Sequence, residues 1–360
     1  MIVNGLITHN EMVSLLPLRW KNYNWLGSQE DQFFLSFADA WRGIIKRVDI
    51  KVRKILVPDF YCPETLAMYK NYGTLLFYKT NQDLTIDIPS YLMAVKSYRP
   101  DVIINYGYIS SPLQDNNVRS LLGKLPETIV IEDCAHRIVL KEDLVFVHSN
   151  HFYIDSIRKQ TGILGSHLVD QSQLLKKEHF SRMNSYKIKS TWFKFLQEAI
   201  NLSTYLVQSR KLYEKSEIYF EKLDNLIGTY EEPTLGSVLS GNIWNHLDLR
   251  KLIEHKRELA SAYLKRLVKI QHKSFLVPPL ADKNLSYFVC LVSSPDNEQL
   301  IDYLSTKNIW VGSLWDYPTD PEPGLNKTLF QSVVVLPLTW KTTVRDVFRV
   351  CQGIEQFFID

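Results

Sequence analysis

The sequence predicts an α/β fold in two parts: a large domain over residues 1–235 built on a mainly parallel sheet, and a small α+β domain over residues 236–360. Three observations predict it. Between Leu35 and Val169, short runs of Val, Ile, Leu, Phe and Tyr alternate with helical stretches, as expected of strands buried on both faces with helices crossing between them. From about Gln171 the pattern changes to long, charged helical segments, and beyond Pro278-Pro279 it changes again to mixed strands and helices. Over 360 residues, 45% apolar and 22% charged content is a globular balance, and such a length buries a large core without disulfide staples.

Six runs read as strands in the first part: Lys54–Pro58, Thr74–Tyr78, Val102–Asn105, Thr128–Ile131, Leu144–Val147 and Ile163–Val169. They are rich in β-branched and aromatic residues and often end at Pro, Asp or Asn. Helices are expected over Ala38–Arg47, Pro63–Tyr72, Ser90–Ser97 and Asn117–Leu125. In the charged stretch, Leu247, Leu252, Leu259, Tyr263 and Leu267 keep helical spacing. The last part predicts a strand over Tyr287–Val292, a helix over Asn297–Lys307, a strand over Val333–Leu336 and a closing helix over Val344–Phe358. Val347, Val350, Cys351, Ile354 and Phe358 form one apolar stripe on that last helix.

Charge and cysteine content narrow the function. Lys plus Arg number 42 against 39 Asp plus Glu, and a surplus of +3 is no nucleic-acid footprint. Cys62, Cys134, Cys290 and Cys351 contain no CxxC pair, which argues against a zinc site or disulfide framework and for a reducing compartment. No basic segment followed by an apolar one opens the chain, and no run of about 18 apolar residues occurs. The expectation is a cytoplasmic protein that acts on small molecules, without a metal, nucleic acid or membrane partner.

Three segments at strand ends carry chemistry. Ile129-Val-Ile-Glu-Asp-Cys-Ala-His136 places an acid just after an apolar run, where helix capping is the commonest fate of an aspartate. Tyr153-Ile-Asp-Ser-Ile-Arg-Lys159 places a lysine after a strand and before Gly162 and Gly165. Held among buried strands, such an amine loses its proton, and a neutral amine is what an aldehyde needs to form a Schiff base. Leu35-Ser-Phe-Ala-Asp-Ala-Trp-Arg42 opens a helix, with Ser36 or Asp39 as its cap, and helix starts attract phosphate. An amine, a phosphate cup and a carboxylate for a ring nitrogen are together what pyridoxal 5'-phosphate requires.

On these residues the chain resembles the DegT/DnrJ/EryC1/StrS sugar aminotransferases, a branch of the fold-type-I pyridoxal-phosphate enzymes, from about Phe34 to the C-terminus. Ser36–Trp41 resembles the family's phosphate segment, Val57–Pro63 its Pro-aromatic turn, and Tyr78–Asp87 and Ile104–Gly107 its next landmarks. Val130–His136 is the closest match. The resemblance implies that Asp133 meets the pyridine nitrogen, that His136 lies beside the cofactor and that Lys159, in Ser156-Ile-Arg-Lys159, is the internal aldimine. Phe37, Ala38, Asp39, Ser156 and Tyr61 fall at the remaining cofactor positions. Leu247–Tyr263, Asn308–Val311 and Val335–Leu338 resemble the helix and landmarks of the small domain. The fold implied is a mainly parallel seven-stranded sheet plus the small domain, assembled as a homodimer.

The sequence also departs from that pattern. Phe37 stands where glycine is usual, and Ala38 where a hydroxyl or guanidinium is usual. Cys62 lies near the stacking position, which Tyr61 or Phe60 would then take. The Gly-Asn-Tyr-Arg motif that reaches the partner's cofactor is replaced by Thr234–Asn242, where Ser237 or Ser240 would substitute. The Ser-to-Lys spacing is three rather than five. Trp310, Trp315 and Tyr317 are candidate sugar-pocket aromatics, and Arg158 a candidate phosphate ligand. The activity implied is amination of a nucleotide-linked keto-sugar by glutamate in polysaccharide or antibiotic assembly. Two alternatives stand beside it. One is a pyridoxal-phosphate enzyme with another reaction, such as the dehydrating branch, against which Lys159 argues. The other is a degenerate relative that binds or scaffolds without transaminase activity.

Overall fold

The structure is a computed structural model that describes residues 7–8, 33–48, 52–109, 111–140, 143–159, 163–171, 184–207, 210–245, 247–268, 275–276, 288–292, 297–339 and 341–359. Gly162, Pro278-Pro279 and Tyr287 lie outside the described residues. In chain order the first elements are β1 (Ile7–Thr8), β2 (Phe33–Phe34), α1 (Phe37–Val48), β3 (Lys54–Pro58), α2 (Pro63–Lys70), β4 (Thr74–Tyr78) and α3 (Ile88–Tyr98). They continue with β5 (Val102–Tyr106), α4 (Asn116–Leu122), β6 (Ile129–Cys134), β7 (His151–Asp155) and β8 (Ser166–Asp170).

Seven of these strands form one sheet in the order β2-β8-β7-β6-β5-β3-β4. The ladder from β4 to β7 is parallel, while β8 and β2 add antiparallel pairs at one edge. Every residue of β5 and β6 is buried, as a sheet covered on both faces requires. The helices begin where the sequence supplies caps. Asp87 Oδ1 accepts from the Ser90 N–H at 2.9 Å to start α3, and Asp115 Oδ1 accepts from Asn117 N–H at 2.7 Å to start α4.

Two expected strands change. Leu144–Val147 is not a strand, because its backbone groups bond to side chains of β7 instead of to a neighbouring strand. Tyr153 Oη accepts from Val145 N–H at 2.9 Å and donates to Val145 O at 2.8 Å, and His151 Nδ1 accepts from Val147 N–H at 3.2 Å. The strand expected from Ile163 begins only at Ser166, since Gly165 gives its carbonyl to Ile157 N–H at 3.0 Å. The edge pair Phe33–Phe34 was not among the strands that periodicity predicts, two residues being too few to show alternation.

Beyond β8 come four helices: α5 (Ser185–Val207), α6 (Arg210–Thr229), α7 (Val238–Asn245) and α8 (Leu249–Leu267). The chain then gives β9 (Phe275–Leu276), β10 (Phe288–Val292), α9 (Asn297–Thr306), β11 (Ile309–Trp310), β12 (Gly312–Ser313), α10 (Lys327–Ser332), β13 (Val333–Leu336) and α11 (Val344–Ile359). A four-stranded antiparallel sheet runs β12-β13-β10-β9, and β1 pairs with β11 in parallel. Of the predicted stripe of α11, Val347, Val350, Cys351 and Ile354 are buried in a core with Leu259, Tyr263 and Leu267 of α8, while Phe358 is only partly buried against it. The other end of α8 packs elsewhere: Leu249, Leu252 and Ile253 join Phe33, Ile138 and Ile157. No described helix is long and apolar enough to cross a membrane.

Candidate active site

The carboxyl ends of the parallel strands border a cavity of about 390 Å³, where open α/β sheets gather ligands. Tyr61 and Cys62 follow β3, Tyr106 ends β5, Asp133 ends β6, and Ser156, Arg158 and Lys159 follow β7; all of them line it. The alternation of a strand sends Asp133 to this side and Glu132 to the other, where Asn105 and Ser111 donate to its carboxylate.

Asp133 is buried and doubly bonded: Tyr61 Oη donates to Oδ2, and the Ala135 N–H donates to Oδ1 at 2.8 Å. Burial nevertheless dominates, and the carboxyl pKa is raised to about 6, while those bonds and the charges of Arg137 and Lys159 oppose the rise. Lys159 sits on a 3₁₀ turn, Ile157–Lys159, held by the Lys159 N–H to Ser156 O bond at 3.0 Å. Its Nζ lies 5.7 Å from the Phe220 ring centre. Burial and the neighbouring Arg158 lower its pKa, against the pull of Asp224, Cys62 and Glu64. Arg158 itself pairs with Asp224 at 2.7 Å.

The first turn of α1 borders the same cavity with Ser36, Phe37 and Ala38. Asp39 does not line it. Its carboxylate turns back into the protein, accepting from Ser36 Oγ at 2.5 Å, Tyr186 Oη at 2.9 Å and the Thr234 N–H at 3.1 Å, with Arg42 at 3.7 Å. Ser36 Oγ in turn accepts from the Asp39 N–H at 3.2 Å, so Ser36 is the cap and Asp39 holds α5 and the segment around Thr234 to α1. Burial raises the Asp39 pKa to about 6.

An aromatic group forms the floor. Trp315 lies 5.8 Å from Tyr61, 5.6 Å from Tyr106 and 6.0 Å from His136, ring centre to ring centre. His136 Nδ1 is bonded to Tyr106 Oη, and burial together with the charges of Lys159 and Arg158 keeps its pKa well below the usual histidine value. The imidazole is therefore neutral. Of the aromatics singled out from sequence, Trp315 lines the cavity; Trp310 is buried in β11, and Tyr317 packs on Phe330 at 5.4 Å. Phe60 stands behind the wall, against Tyr108 and Phe330. Neither Ser237 nor Ser240 is among the lining residues.

Sequence reasoning missed the remaining wall. Lys194, Gln197 and Asn201 of α5, and Glu217, Phe220, Asp224, Ile227 and Gly228 of α6, close the cavity opposite the strand ends. Their helical spacing was visible, but nothing in it told which face turns inward. A second hollow, of about 480 Å³, lies on the Glu132 side among Arg119, Arg137, Arg250 and Arg257. Its described lining holds no lysine, so of these two hollows it is the smaller that brings Lys159 and Asp133 together.

That donor set fits pyridoxal phosphate: an amine of lowered pKa, a buried carboxylate and a helix start face one space of suitable size. No protein-family model and no curated protein matches the chain. Its structure is similar to solved aminotransferases. The Helicobacter pylori PseC, an aminotransferase involved in pseudoaminic acid biosynthesis, matches at TM-score 0.61 and 11% identity over 98% of this chain and 99% of its own. The S. venezuelae DesV in complex with a ketimine intermediate matches at TM-score 0.60 and 15% identity, over 90% and 84%. A DegT DnrJ EryC1 StrS aminotransferase from Brucella abortus matches at TM-score 0.57 and 14% identity, over 93% and 91%. The chain thus has the fold of the fold-type-I aminotransferases, the fold its sequence resemblance implied.

Proposed function

We propose that the chain is a pyridoxal-phosphate-dependent aminotransferase that aminates a nucleotide-linked keto-sugar with glutamate as donor. One observation carries the reading: Lys159 and Asp133 line one cavity together with the first turn of α1. Similarity to DesV and PseC supports it at the level of fold. Bound pyridoxal phosphate supplies an aldehyde and an electron-withdrawing ring.

The residues of the chain divide the work. Lys159 Nζ, its pKa lowered by burial, would hold the aldehyde of the bound group and would move a proton at Nζ as general base. Asp133, ionised above about pH 6, keeps a proton on the ring nitrogen. Neutral His136, fixed by Tyr106, lies beside them. Ser36, Phe37 and Ala38 offer the helix start to the phosphate, and Ser156 borders the same space. Asp39 acts behind this cup as its brace rather than as a ligand. We further place the domain boundary at residue 235, with Thr234 and Gly236 still bonded to β2 and its neighbour, and read the assembly as a homodimer in the cytoplasm.

The test is the visible absorbance of purified protein with added pyridoxal phosphate, beside Lys159→Ala. A band that borohydride bleaches in the native protein and that the variant lacks supports the reading, as does its loss on adding glutamate. No band in the native protein overturns it.

A further inference from the structure

The lysine on the strand-end cavity directly follows an arginine in the chain, so two cations leave β7 side by side. A cation beside an amine disfavours the charged amine. The structure answers this charge from α6. Asp224 Oδ1 lies 2.7 Å from Arg158 Nη2. The Phe220 ring, one helical turn before Asp224, lies 5.2 Å from the Arg158 guanidinium carbon and 5.7 Å from Lys159 Nζ. One ring thus meets both cations, and one carboxylate holds the first of them.

Helix α6 is itself held in place at this point. Leu223 and Ile227, on either side of Asp224, are buried in the main core, and Arg42 Nη2 donates to Ile227 O at 2.8 Å. The Asp224 carboxylate is therefore fixed against the Lys159 turn. The pair is mostly buried, so salt screens it little. Burial and then Arg158 depress the Lys159 pKa, and Asp224 opposes them. The other titratable groups on the cavity are Cys62 and Glu64 at the start of α2, and Tyr61, Tyr106, Asp133 and His136 near the strand ends. Lys194 of α5, Glu217 of α6 and Asp316 after β12 complete them. Cys62 is bonded to Glu64 at 3.1 Å, and Lys194 is paired with Glu198 at 2.7 Å. Asp224 is the carboxylate paired within the Lys159 turn itself.

We propose that Asp224 is a positioning residue for Lys159: it holds the Arg158 guanidinium on α6, offsets that charge beside the amine, and with Phe220 seats both side chains at the cavity wall. The carboxylate and the guanidinium act on the amine in opposite directions, so α6 sets how much of Lys159 is neutral at a given pH. That this governs capture of pyridoxal phosphate rests on the aminotransferase reading; the setting of the amine does not.

The test is trace acetylation of the cofactor-free full chain by acetic anhydride, read at Lys159 by peptide mass spectrometry from about pH 6 to about pH 11. It gives the midpoint at which this amine loses its proton, and a change in access scales the labelling alike at every pH. Asp224→Asn is expected to lower the midpoint and raise the neutral fraction near neutral pH by roughly three- to tenfold. Arg158→Gln is expected to raise the midpoint and lower that fraction by a similar factor. In Arg158→Gln/Asp224→Asn both charges go, and the midpoint returns toward the native one. A purely structural role opens the turn to water and moves both single variants the same way, toward the ordinary lysine value, with no return in the double variant. That result, or coincident midpoints, overturns the proposal. Where Asp224→Asn does not fold, Arg158→Gln and the double variant, which leave no unpaired arginine, give the reading. Visible absorbance with added pyridoxal phosphate is recorded on the same samples. Opposed midpoints without a band in the native protein sink the aminotransferase reading and keep this one; a band with coincident midpoints does the reverse.

Discussion

Tyr61 donates its phenolic proton to Asp133, and so the residue after β3 sets the state of the carboxylate at the end of β6. The bond opposes the burial that raises Asp133 to a pKa of about 6. Tyr61→Phe is expected to raise that pKa further. If Asp133 holds a protonated ring nitrogen, cofactor affinity falls as pH drops through about 6, and the fall begins at higher pH in the variant. Titrating cofactor binding by absorbance between pH 5 and pH 8 checks both; coincident profiles would show that Tyr61 has no hold on Asp133.

Asp59 offers a test of stability against pH. Burial raises its pKa to about 6 from an ordinary 3.8. The folded protein then binds more protons than the unfolded chain between those values, so this group's contribution is fully present below about pH 4 and is lost as pH rises through about 6. Asp59→Asn removes the ionisation while keeping an acceptor for the Thr80 N–H. Urea unfolding is expected to show the variant gaining about 1–3 kcal/mol at pH 7 relative to the native protein, with a smaller gain at pH 4. An equal effect at both values would place the cause elsewhere.

Asp39→Ala removes the acceptor of three hydrogen bonds and leaves Arg42, 4% exposed, without its carboxylate. A cost of about 3–5 kcal/mol follows for breaking such a buried pair. Chemical denaturation measures it. A loss below about 1 kcal/mol would mean that α5 and α1 are held together by other contacts.

A Cβ on Gly165 would lie 2.1 Å from Phe33 Cζ and 2.8 Å from Ile157 Cδ1. Gly165→Ala is expected to cost about 1–3 kcal/mol through overpacking, and Phe33→Leu in the same chain to recover part of it. A double-mutant cycle on unfolding free energies reads the coupling, and strict additivity would show that the ring moves aside freely.

The parallel core was legible because β3, β5 and β6 are short apolar runs whose burial on both faces leaves no other pattern. The Asp133 position was legible because it closes such a run, whereas Lys159 follows β7, His151–Asp155, which was not among the six expected strands. Leu144–Val147 has the composition of a strand, yet Tyr153 and His151 satisfy its backbone from the side, a bond that composition does not record. Asp39 was read toward the cavity because its partners Tyr186 and Thr234 lie 147 and 195 positions away. The face of α5 was illegible for a different reason. Periodicity locates a polar stripe and an apolar one, and ordinary helices bury the apolar one. Here the buried stripe is Ser190, Lys194, Gln197 and Asn201.

Helix α8 is anchored at both ends in different apolar clusters, Leu249, Leu252 and Ile253 in one and Leu259, Tyr263 and Leu267 in the other. Its 19 residues make a rod of about 28 Å. A rod gripped at each end transmits displacement without absorbing it. Any rocking of the antiparallel sheet against the parallel one must therefore bend this helix, strip one of the two grips, or carry the rod along whole.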